Sequence, residues 1–189
     1  AVSLAEYIRA LGYQAIPCMN DTALSIPLAV DAGLGQLGRH GLLITPEYGP
    51  NVRLCKILTD MPLIPDKPFD FGITEFCENC LLCAKNCPSG SISAGERTMK
   101  SDYNTGNSGV LKWYIHGENC LRFWQENGAS CANCIKVCPF TCGFESMYCT
   151  ECEKCQPWKG GCALQYNTHL RLKYGYLEGP DWGSRAKIN

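Results

Sequence analysis

The sequence of 189 residues is poor in several features that would assign it to a common class. Charge of neither sign is in excess, since 17 lysines and arginines stand against 18 aspartates and glutamates. Because nucleic-acid binding requires a basic surface, no nucleic-acid partner is expected. No apolar run approaches the ~18 residues that a membrane-spanning helix needs. The start carries neither a signal-peptide pattern nor a twin-arginine pair.

Cysteine is the residue that the sequence has in excess, with 15 copies against three histidines. An odd number of cysteines cannot all pair within one chain, so zinc sites and iron–sulfur clusters compete with disulfides as explanations. The hydrophobic fraction of 46% is ordinary for a globular protein and allows a packed core. At roughly 150 residues per domain, the length predicts one or two domains.

The first residues predict a short helix. Ser3, followed by Glu6 three positions later, forms a capping box in which Ser3 is the N-cap. Apolar residues recur at helical spacing and predict the buried face; they are Leu4, Ile8 and Leu11. Gly12 is expected to end the helix after about two turns.

Short strands and one further helix are predicted next. Residues 13–18 predict a strand, and the apolar segment 22–30, which Pro27 interrupts, predicts a helix with this proline near its first turn. Residues 42–45 and 52–58 predict two more strands. Three prolines within residues 62–68 predict a connector.

The character of the sequence changes at Phe69. Residues 69–142 hold the cysteine motifs in what the sequence predicts to be loops, with a cysteine-free insertion at residues 94–119. Residues 143–189 form a tail rich in cysteine and aromatic residues, and no fold is assigned to it. The predicted fold class is therefore α+β, with an α/β region at residues 1–68 followed by a cysteine module.

Two cysteine motifs carry the chemistry of this module. The first matches the run that ferredoxins use for a 4Fe–4S cluster, and it reads Cys77-x2-Cys80-x2-Cys83-x3-Cys87-Pro88. The second keeps the last three cysteines and the proline, and it reads Cys120-x10-Cys131-x2-Cys134-x3-Cys138-Pro139. Three closely spaced thiolates let one loop bind three corners of a cubane, while the fourth points away to another cluster.

Two such motifs predict a pseudo-symmetric pair of clusters that exchange their fourth ligands. The first cluster is assigned to Cys77, Cys80, Cys83 and Cys138. The second cluster is assigned to Cys120, Cys131, Cys134 and Cys87. Zinc remains an alternative, but paired zinc knuckles explain the triple spacing and the Cys-Pro ending poorly. Structural disulfides are a weaker alternative.

The other cysteines are given no cluster role. Cys18 and Cys55 lie in strand-like segments and are expected to be buried thiols, because free cysteine packs as a small hydrophobe. For five further cysteines a third cluster, zinc and plain thiols all stay open; these are Cys142, Cys149, Cys152, Cys155 and Cys162.

A glycine-rich segment precedes the predicted strand at residues 42–45. Residues 33–38 satisfy G-x-G-x-x-G, but Gly41 and Pro46 leave no room for the long helix that a dinucleotide fold needs. The segment predicts backbone that must approach something closely, or a tight turn.

Three blocks of this region closely resemble corrinoid-dependent reductive dehalogenases, above all the respiratory enzymes that act on chlorinated ethenes. The blocks are residues 13–20, 32–46 and 49–53, and the two cysteine motifs follow in the order that the family uses. The resemblance covers about residues 12–142. It implies that the chain is a C-terminal fragment whose residues 1–68 are part of a nitroreductase-like, corrinoid-binding domain.

The resemblance also implies an activity and its cofactors. A base-off cobamide would reduce a small organohalide, with electrons supplied by two 4Fe–4S clusters in a ferredoxin-like module. Asn20 and Arg53 match the active-site asparagine and arginine of the family. Arg53 would favour the tyrosinate left by a proton-donating tyrosine, which is expected before Ala1. The expected cobamide contacts are Gly35, Gly38, His40 and Gly41.

Partners and location follow from the resemblance alone. It implies an electron-donor protein or quinol-linked chain, a small membrane anchor protein, and a place on the outer face of the cytoplasmic membrane. Three other functions stay open: an epoxyqueuosine reductase, a plain electron-transfer ferredoxin and a zinc-stabilised interaction domain. The balanced charge disfavours the first of these, because that enzyme must bind tRNA.

Overall fold

The computed structural model describes residues 1–103 and 107–142. The elements in its first half are α1 (Val2–Ala10), β1 (Ala15–Cys18), α2 (Ser25–Asp31), β2 (Gln36–Leu37), β3 (Leu43–Ile44) and β4 (Lys56–Thr59). The elements in its second half are α3 (Ile73–Asn79), α4 (Leu82–Lys85), α5 (Gly117–Asn127), α6 (Asn133–Lys136) and a 3-10 turn at Pro139–Cys142.

Helix α1 exists as predicted, but its start and its buried face differ from the prediction. Ala1 is the N-cap, and its carbonyl accepts from the Ala5 N–H at 2.9 Å, so Ser3 lies inside the helix and the capping box is absent. Ile8 is buried as predicted, but Ala5 is its buried neighbour, whereas Leu4 and Leu11 are exposed. The small Ala5 side chain lets the helix lie directly on Ala15 of β1, which decides the buried face.

Gly12 ends α1 as predicted. Its φ is +95°, a conformation that glycine adopts without steric cost. The Gly12 N–H donates to the Arg9 carbonyl at 2.9 Å, and the Tyr13 N–H donates to the Ile8 carbonyl at 3.4 Å. This is the pattern of a Schellman cap, and it turns the chain directly into β1.

The strands form two small antiparallel pairs. In one pair β1 lies against β4, with Ala15 opposite Thr59 and Cys18 opposite Lys56. In the other, β2 lies against β3. The predicted strand at residues 52–58 is wrong at its start, because β1 ends at Cys18 and leaves the earlier residues without a pairing partner. Arg53 therefore lies in irregular chain before β4.

Helices also carry several motif cysteines, so the prediction that loops replace regular structure after Phe69 is wrong. Cys77 lies in α3, Cys83 in α4, Cys120 in α5 and Cys134 in α6. The buried thiol predicted at Cys18 is confirmed, but Cys55 is exposed. Cys55 precedes β4 in the unpaired chain, which explains its exposure.

One apolar core joins the glycine-rich region to the cysteine module. Ile44 of β3 packs in the same buried cluster as Phe71, Phe76 and Phe140. Trp113, from the predicted insertion, is a further member, so the described part of that insertion contributes to the core. Among the described residues, no helix has the length and apolar character to cross a bilayer.

Candidate functional site

The four cysteines assigned to the first cluster lie around one small cavity, and we call them the first thiol group. Cys77 and Cys83 come from α3 and α4, Cys80 caps α3, and Cys138 arrives from the end of the second motif. The lining residues are Arg39, His40, Phe76, Cys77, Cys80, Cys83, Cys138, Pro139 and Phe140. Folding thus joins three cysteines of one motif to the fourth of the other, as the spacing predicted.

The remaining four motif cysteines form the second thiol group. Cys120 interacts electrostatically with Cys87 and Cys131, and Cys134 interacts with all three of these. Helix α4 packs against α6, so the third cysteines of the two motifs lie on neighbouring helices. Each motif then sends its fourth cysteine to the other group, which gives the pair its pseudo-symmetry.

The four thiols of the first group line one cavity. In the described ranges, no three histidine, cysteine or acidic side chains are close enough to hold a single metal ion. The first group, with four thiols around its cavity, suits a multinuclear group that takes four protein ligands. A cubane cluster held by four cysteines is such a group.

Burial strongly affects the ionisation of the first thiol group. It raises the pKa of Cys77 and of Cys83 to about 12, and it raises the pKa of Cys138 and of Cys80 as well. A coordinating thiol is deprotonated by its metal, so loading of this group must release protons.

The pKa of Cys87, in the second group, is lowered and not raised. Burial raises its pKa, but hydrogen bonds from the Ser89 hydroxyl and from the backbone N–H groups of Ser91, Ser89 and Ile92 lower it by more. The Ser91 N–H lies 3.3 Å from the Cys87 sulfur. Cys87 is therefore a thiol whose thiolate is already stabilised by its own loop.

Arg39 is the site residue that sequence reasoning missed. Its side chain is 2% exposed and lines the cavity of the first thiol group. The guanidinium donates to the carbonyls of Cys77 at 2.9 Å, Ser93 at 2.8 Å and Gly95 at 2.9 Å. It also lies 4.3 Å from the ring centre of Trp113. Arg39 therefore fastens the first motif to the segment that follows it.

The charge of Arg39 survives this burial. Burial lowers its pKa, and the neighbouring sulfur atoms of Cys77, Cys83 and Cys80 partly oppose the shift. An arginine starts from so high a pKa that it stays protonated in proteins. The first thiol group is thus built around a fixed positive charge. An arginine in a glycine-rich loop normally indicates a surface charge, so only the fold reveals it.

His40 lies beside Arg39 in the same cavity lining. Its side chain is 5% exposed, and burial lowers its pKa to about 4, so the ring is neutral at neutral pH. Nδ1 accepts the Leu42 N–H at 3.2 Å, while Nε2 has no hydrogen-bond partner in the described part of the chain. The structure therefore places this predicted cofactor contact against the first thiol group.

The predicted close approach of the glycine-rich segment is confirmed, and the chain itself is what approaches. A Cβ on Gly35 would lie 2.2 Å from the Ile44 carbonyl oxygen, and one on Gly41 would lie 2.7 Å from the Ile115 side chain. A Cβ on Gly38 would lie 2.8 Å from the His40 ring. Packing explains these glycines, and their contact with a cobamide stays a prediction.

Asn20 and Arg53 lie beyond the same end of the β1–β4 pair. The antiparallel register places the residues just after Cys18 beside those just before Lys56. Both candidate side chains are exposed, and neither has a side-chain hydrogen bond or ion pair with another described residue. They are therefore available to bind an external group.

The loop that carries Asn20 is held in a defined shape. Lys56 Nζ donates to the Met19 carbonyl and to Ser25 Oγ, the latter at 2.9 Å. Asp21 Oδ1 accepts the Met19 N–H at 2.7 Å. Thr22 has a φ of +71°, which is uncommon for a β-branched residue. Such local strain persists only where neighbouring contacts enforce it.

Comparison with known proteins relates these sites to two groups of enzymes. A family model described as a 4Fe-4S dicluster domain matches residues 76–142. The tetrachloroethene reductive dehalogenase of Sulfurospirillum multivorans is 52% identical over 140 residues, which are 74% of this chain and 28% of the relative. An epoxyqueuosine reductase of Listeria monocytogenes is 32% identical over 128 residues, 68% of this chain and 32% of the relative.

A solved structure extends the similarity to the fold. It is a reductive dehalogenase whose description refers to B12-dependent dehalogenation. It is 28% identical to this chain with a TM-score of 0.67, covering 92% of this chain and 24% of the solved one. The chain therefore spans about a quarter of the length of the reductive dehalogenases that it matches.

Proposed function

The chain is homologous to reductive dehalogenases over about three quarters of its length, and we propose that it is the electron-entry part of such an enzyme. The overall reaction converts an organohalide, two electrons and one proton into the dehalogenated product and halide. The assembly of the two thiol groups, each completed by a cysteine of the other motif, carries this proposal. By resemblance to the relatives, the substrates are chlorinated ethenes.

The two thiol groups fit the role of cluster ligands. Cys77, Cys80, Cys83 and Cys138 would hold one 4Fe–4S cluster, and Cys87, Cys120, Cys131 and Cys134 would hold the other. When bound, such clusters supply one-electron transfer. Because α4 packs against α6, the chain holds the two groups next to each other, as an electron relay requires.

The Asn20–Arg53 end of the β1–β4 pair fits the substrate side of the reaction. A cobamide, when bound, would supply the low-valent cobalt that breaks the carbon–halogen bond. Arg53 carries a permanent positive charge and is free to stabilise an anionic proton donor. Asn20 can donate and accept hydrogen bonds and so orient the donor or the substrate. The glycine-rich segment and His40 are proposed as further contacts of this cofactor.

The proposed partners extend beyond this chain. By resemblance, an electron-donor protein or quinol-linked chain supplies electrons, and a small membrane protein anchors the enzyme at the outer face of the cytoplasmic membrane. Fractionation of cells with and without that anchor tests the location. In cells without the anchor, the enzyme should be lost from the membrane fraction.

Replacing Cys83 by alanine should remove one cluster. We expect the intact, anaerobically reconstituted protein to lose about four iron atoms, as one cubane would. Cys134→Ala should lose a similar number from the second group. Cys55→Ala is the matched control, because this exposed thiol belongs to neither group. Iron and sulfide analysis gives the result, and unchanged iron in Cys83→Ala contradicts the ligand assignment.

Replacing Arg53 by alanine should abolish halide release and leave the iron and cobalt content of the intact enzyme unchanged. The reason is that Arg53 lies outside both thiol groups and contributes charge at the substrate end. Arg122→Ala, which removes an exposed arginine of α5, is the control and should keep its activity. Halide release from chlorinated ethenes measures the effect. Wild-type turnover in Arg53→Ala would remove Arg53 from the mechanism.

The second candidate function is epoxyqueuosine reduction, which the 32% identity to such an enzyme supports. The formal net charge of −1 disfavours it, because tRNA binding requires a basic surface. Assays for halide release and for queuosine formation on the same preparation distinguish the two reactions. Queuosine formation without halide release would establish the second function.

A further inference from the structure

We propose that His40 donates a hydrogen bond from Nε2–H to a sulfur atom of the cluster in the first thiol group, and that this bond makes the cluster easier to reduce. The inference rests on the proposed function insofar as that group must hold an iron–sulfur cluster. It assigns to His40 a role in setting the potential of the cluster, beyond the cobamide contact that the resemblance implies.

The first supporting observation is an unsatisfied donor. Nε2 of His40 is the buried side-chain nitrogen or oxygen that lacks a hydrogen-bond partner in the described ranges. Buried polar groups are nearly always paired, and an exception indicates an absent ion, water or ligand. The partner of Nε2 is therefore a group that the described residues do not supply.

The second observation fixes which nitrogen carries the proton. The Leu42 N–H donates to Nδ1 at 3.2 Å, so Nδ1 must be the unprotonated acceptor. A neutral imidazole then carries its single proton on Nε2. The backbone of the glycine-rich segment thus presets the ring as an Nε2 donor.

The third observation identifies the class of acceptor. His40 lines the same cavity as Cys77, Cys80, Cys83 and Cys138. Arg39 offers only donors, and the other lining side chains are apolar. Sulfur is therefore the acceptor that the lining side chains provide, either as a thiolate or as the sulfide of a cluster bound between them.

The fold also reserves the space for this ring. A Cβ on Gly38 would lie 2.8 Å from Cε1 and 3.2 Å from Nδ1 of His40, so a side chain there would displace the imidazole. The same Cβ would lie 2.7 Å from the Ile44 side chain, so a side chain at position 38 could not avoid the ring by turning towards Ile44. The absence of a side chain at Gly38 therefore leaves the imidazole its place in the cavity lining.

The effect of this hydrogen bond on the cluster's reduction potential follows from the change in cluster charge. Reduction adds one electron to the cluster and increases its negative charge, and a donor to sulfur stabilises the more negative state. The electron comes from the external low-potential reductant, which is oxidised by one electron. No proton leaves His40 in this step, because the hydrogen bond only strengthens.

A redox titration of matched variants tests the proposal in the intact, anaerobically reconstituted protein. His40→Phe keeps a ring and removes the donor, whereas His40→Gln keeps an N–H at similar reach. We expect His40→Phe to lower the ratio of reduced to oxidised cluster about tenfold at a fixed potential, for one of the two clusters. This corresponds to a reduction potential lower by ~59 mV for a one-electron couple. His40→Gln should stay close to wild type, and the other cluster should be unchanged in both variants.

His116 provides the control, because it caps α5 through Nδ1 and does not line the first cavity. His116→Asn retains a capping side chain and should leave the first cluster's potential unchanged. A second measurement uses protein labelled with 15N-histidine. The reduced wild-type cluster should show a hyperfine coupling to 15N that His40→Gln abolishes and His116→Asn retains.

The outcomes separate the two hypotheses. A fully iron-loaded His40→Phe protein with wild-type potential overturns the role of His40, as does a 15N coupling to cobalt in place of the cluster. If His40→Phe does not bind iron, the labelled wild-type protein and His40→Gln still decide the question. Absence of any iron–sulfur signal in the wild type would contradict the proposed function itself.

Discussion

Replacing Arg39 by alanine is expected to empty the first cluster site and to destabilise the protein by about 3 kcal/mol or more. Arg39 is buried, and its guanidinium donates to the carbonyls of Cys77 and Ser93. Each buried acceptor that loses its donor costs about 1–3 kcal/mol. The end of α3, which presents Cys77 and Cys80, would also lose its attachment to the segment at residues 93–95. About half of the iron should therefore be lost.

Arg97 provides a matched control for Arg39. Both guanidiniums lie over the Trp113 ring, but Arg97 is farther away, at 5.7 Å, and pairs with Glu78 at the surface. Exposed ion pairs contribute about 1 kcal/mol or less. Arg97→Ala should therefore keep its iron and most of its stability. Chemical denaturation and iron analysis measure both effects, and full iron loading with an unchanged midpoint in Arg39→Ala would contradict this role.

Replacing Gly49 by alanine is expected to destabilise the protein by about 3 kcal/mol or more, for a steric reason. A Cβ at this position would lie 1.9 Å from the Phe140 carbonyl oxygen, and the φ of Gly49 is +56°. The Gly49 backbone cannot yield easily, because Gly49 and Thr45 exchange hydrogen bonds at 3.0 and 2.9 Å. Overpacking costs about 1–3 kcal/mol and a left-handed backbone about 1–2 kcal/mol.

The same substitution should affect the cluster. Phe140 follows Cys138 by two residues, so displacement of its backbone moves the fourth ligand of the first thiol group. Gly128→Ala is the control, since Gly128 has a similar φ of +68° but nothing within 4 Å of the added Cβ. It should cost only about 1 kcal/mol and keep its iron. Equal destabilisation of the two variants would show that the clash with Phe140 is unimportant.

The grouping of the motif cysteines was predictable because it depends on local spacing. Three thiols separated by two residues each must lie on one short stretch of chain, and the fourth, after three more residues, cannot reach the same point. The structure accordingly places Cys138 with the first motif and Cys87 with the second. That these groups bind iron stays a prediction until iron is measured.

Positions that depend on distant partners were not predictable in the same way. The start of β4 depends on where β1 ends, so Arg53 falls outside the strand that the sequence indicated. Ile8 is buried as predicted, but the rest of the buried face of α1 depends on Ala15, which selects Ala5 over Leu4 and Leu11. Periodicity alone could not distinguish these faces, because both repeat at helical spacing.

The sequence by itself determined the donor set, the pairing of the motifs and the closeness of the glycine backbone, because each follows from residue type and short-range spacing. Only the tertiary structure decided what surrounds the thiols. Arg39 is buried with its charge beside the thiols and His40 is left with an unsatisfied donor, and both result from the packing of the glycine-rich segment against the module. A residue's environment is set by chain segments far away in sequence, so it cannot be predicted from composition and local spacing.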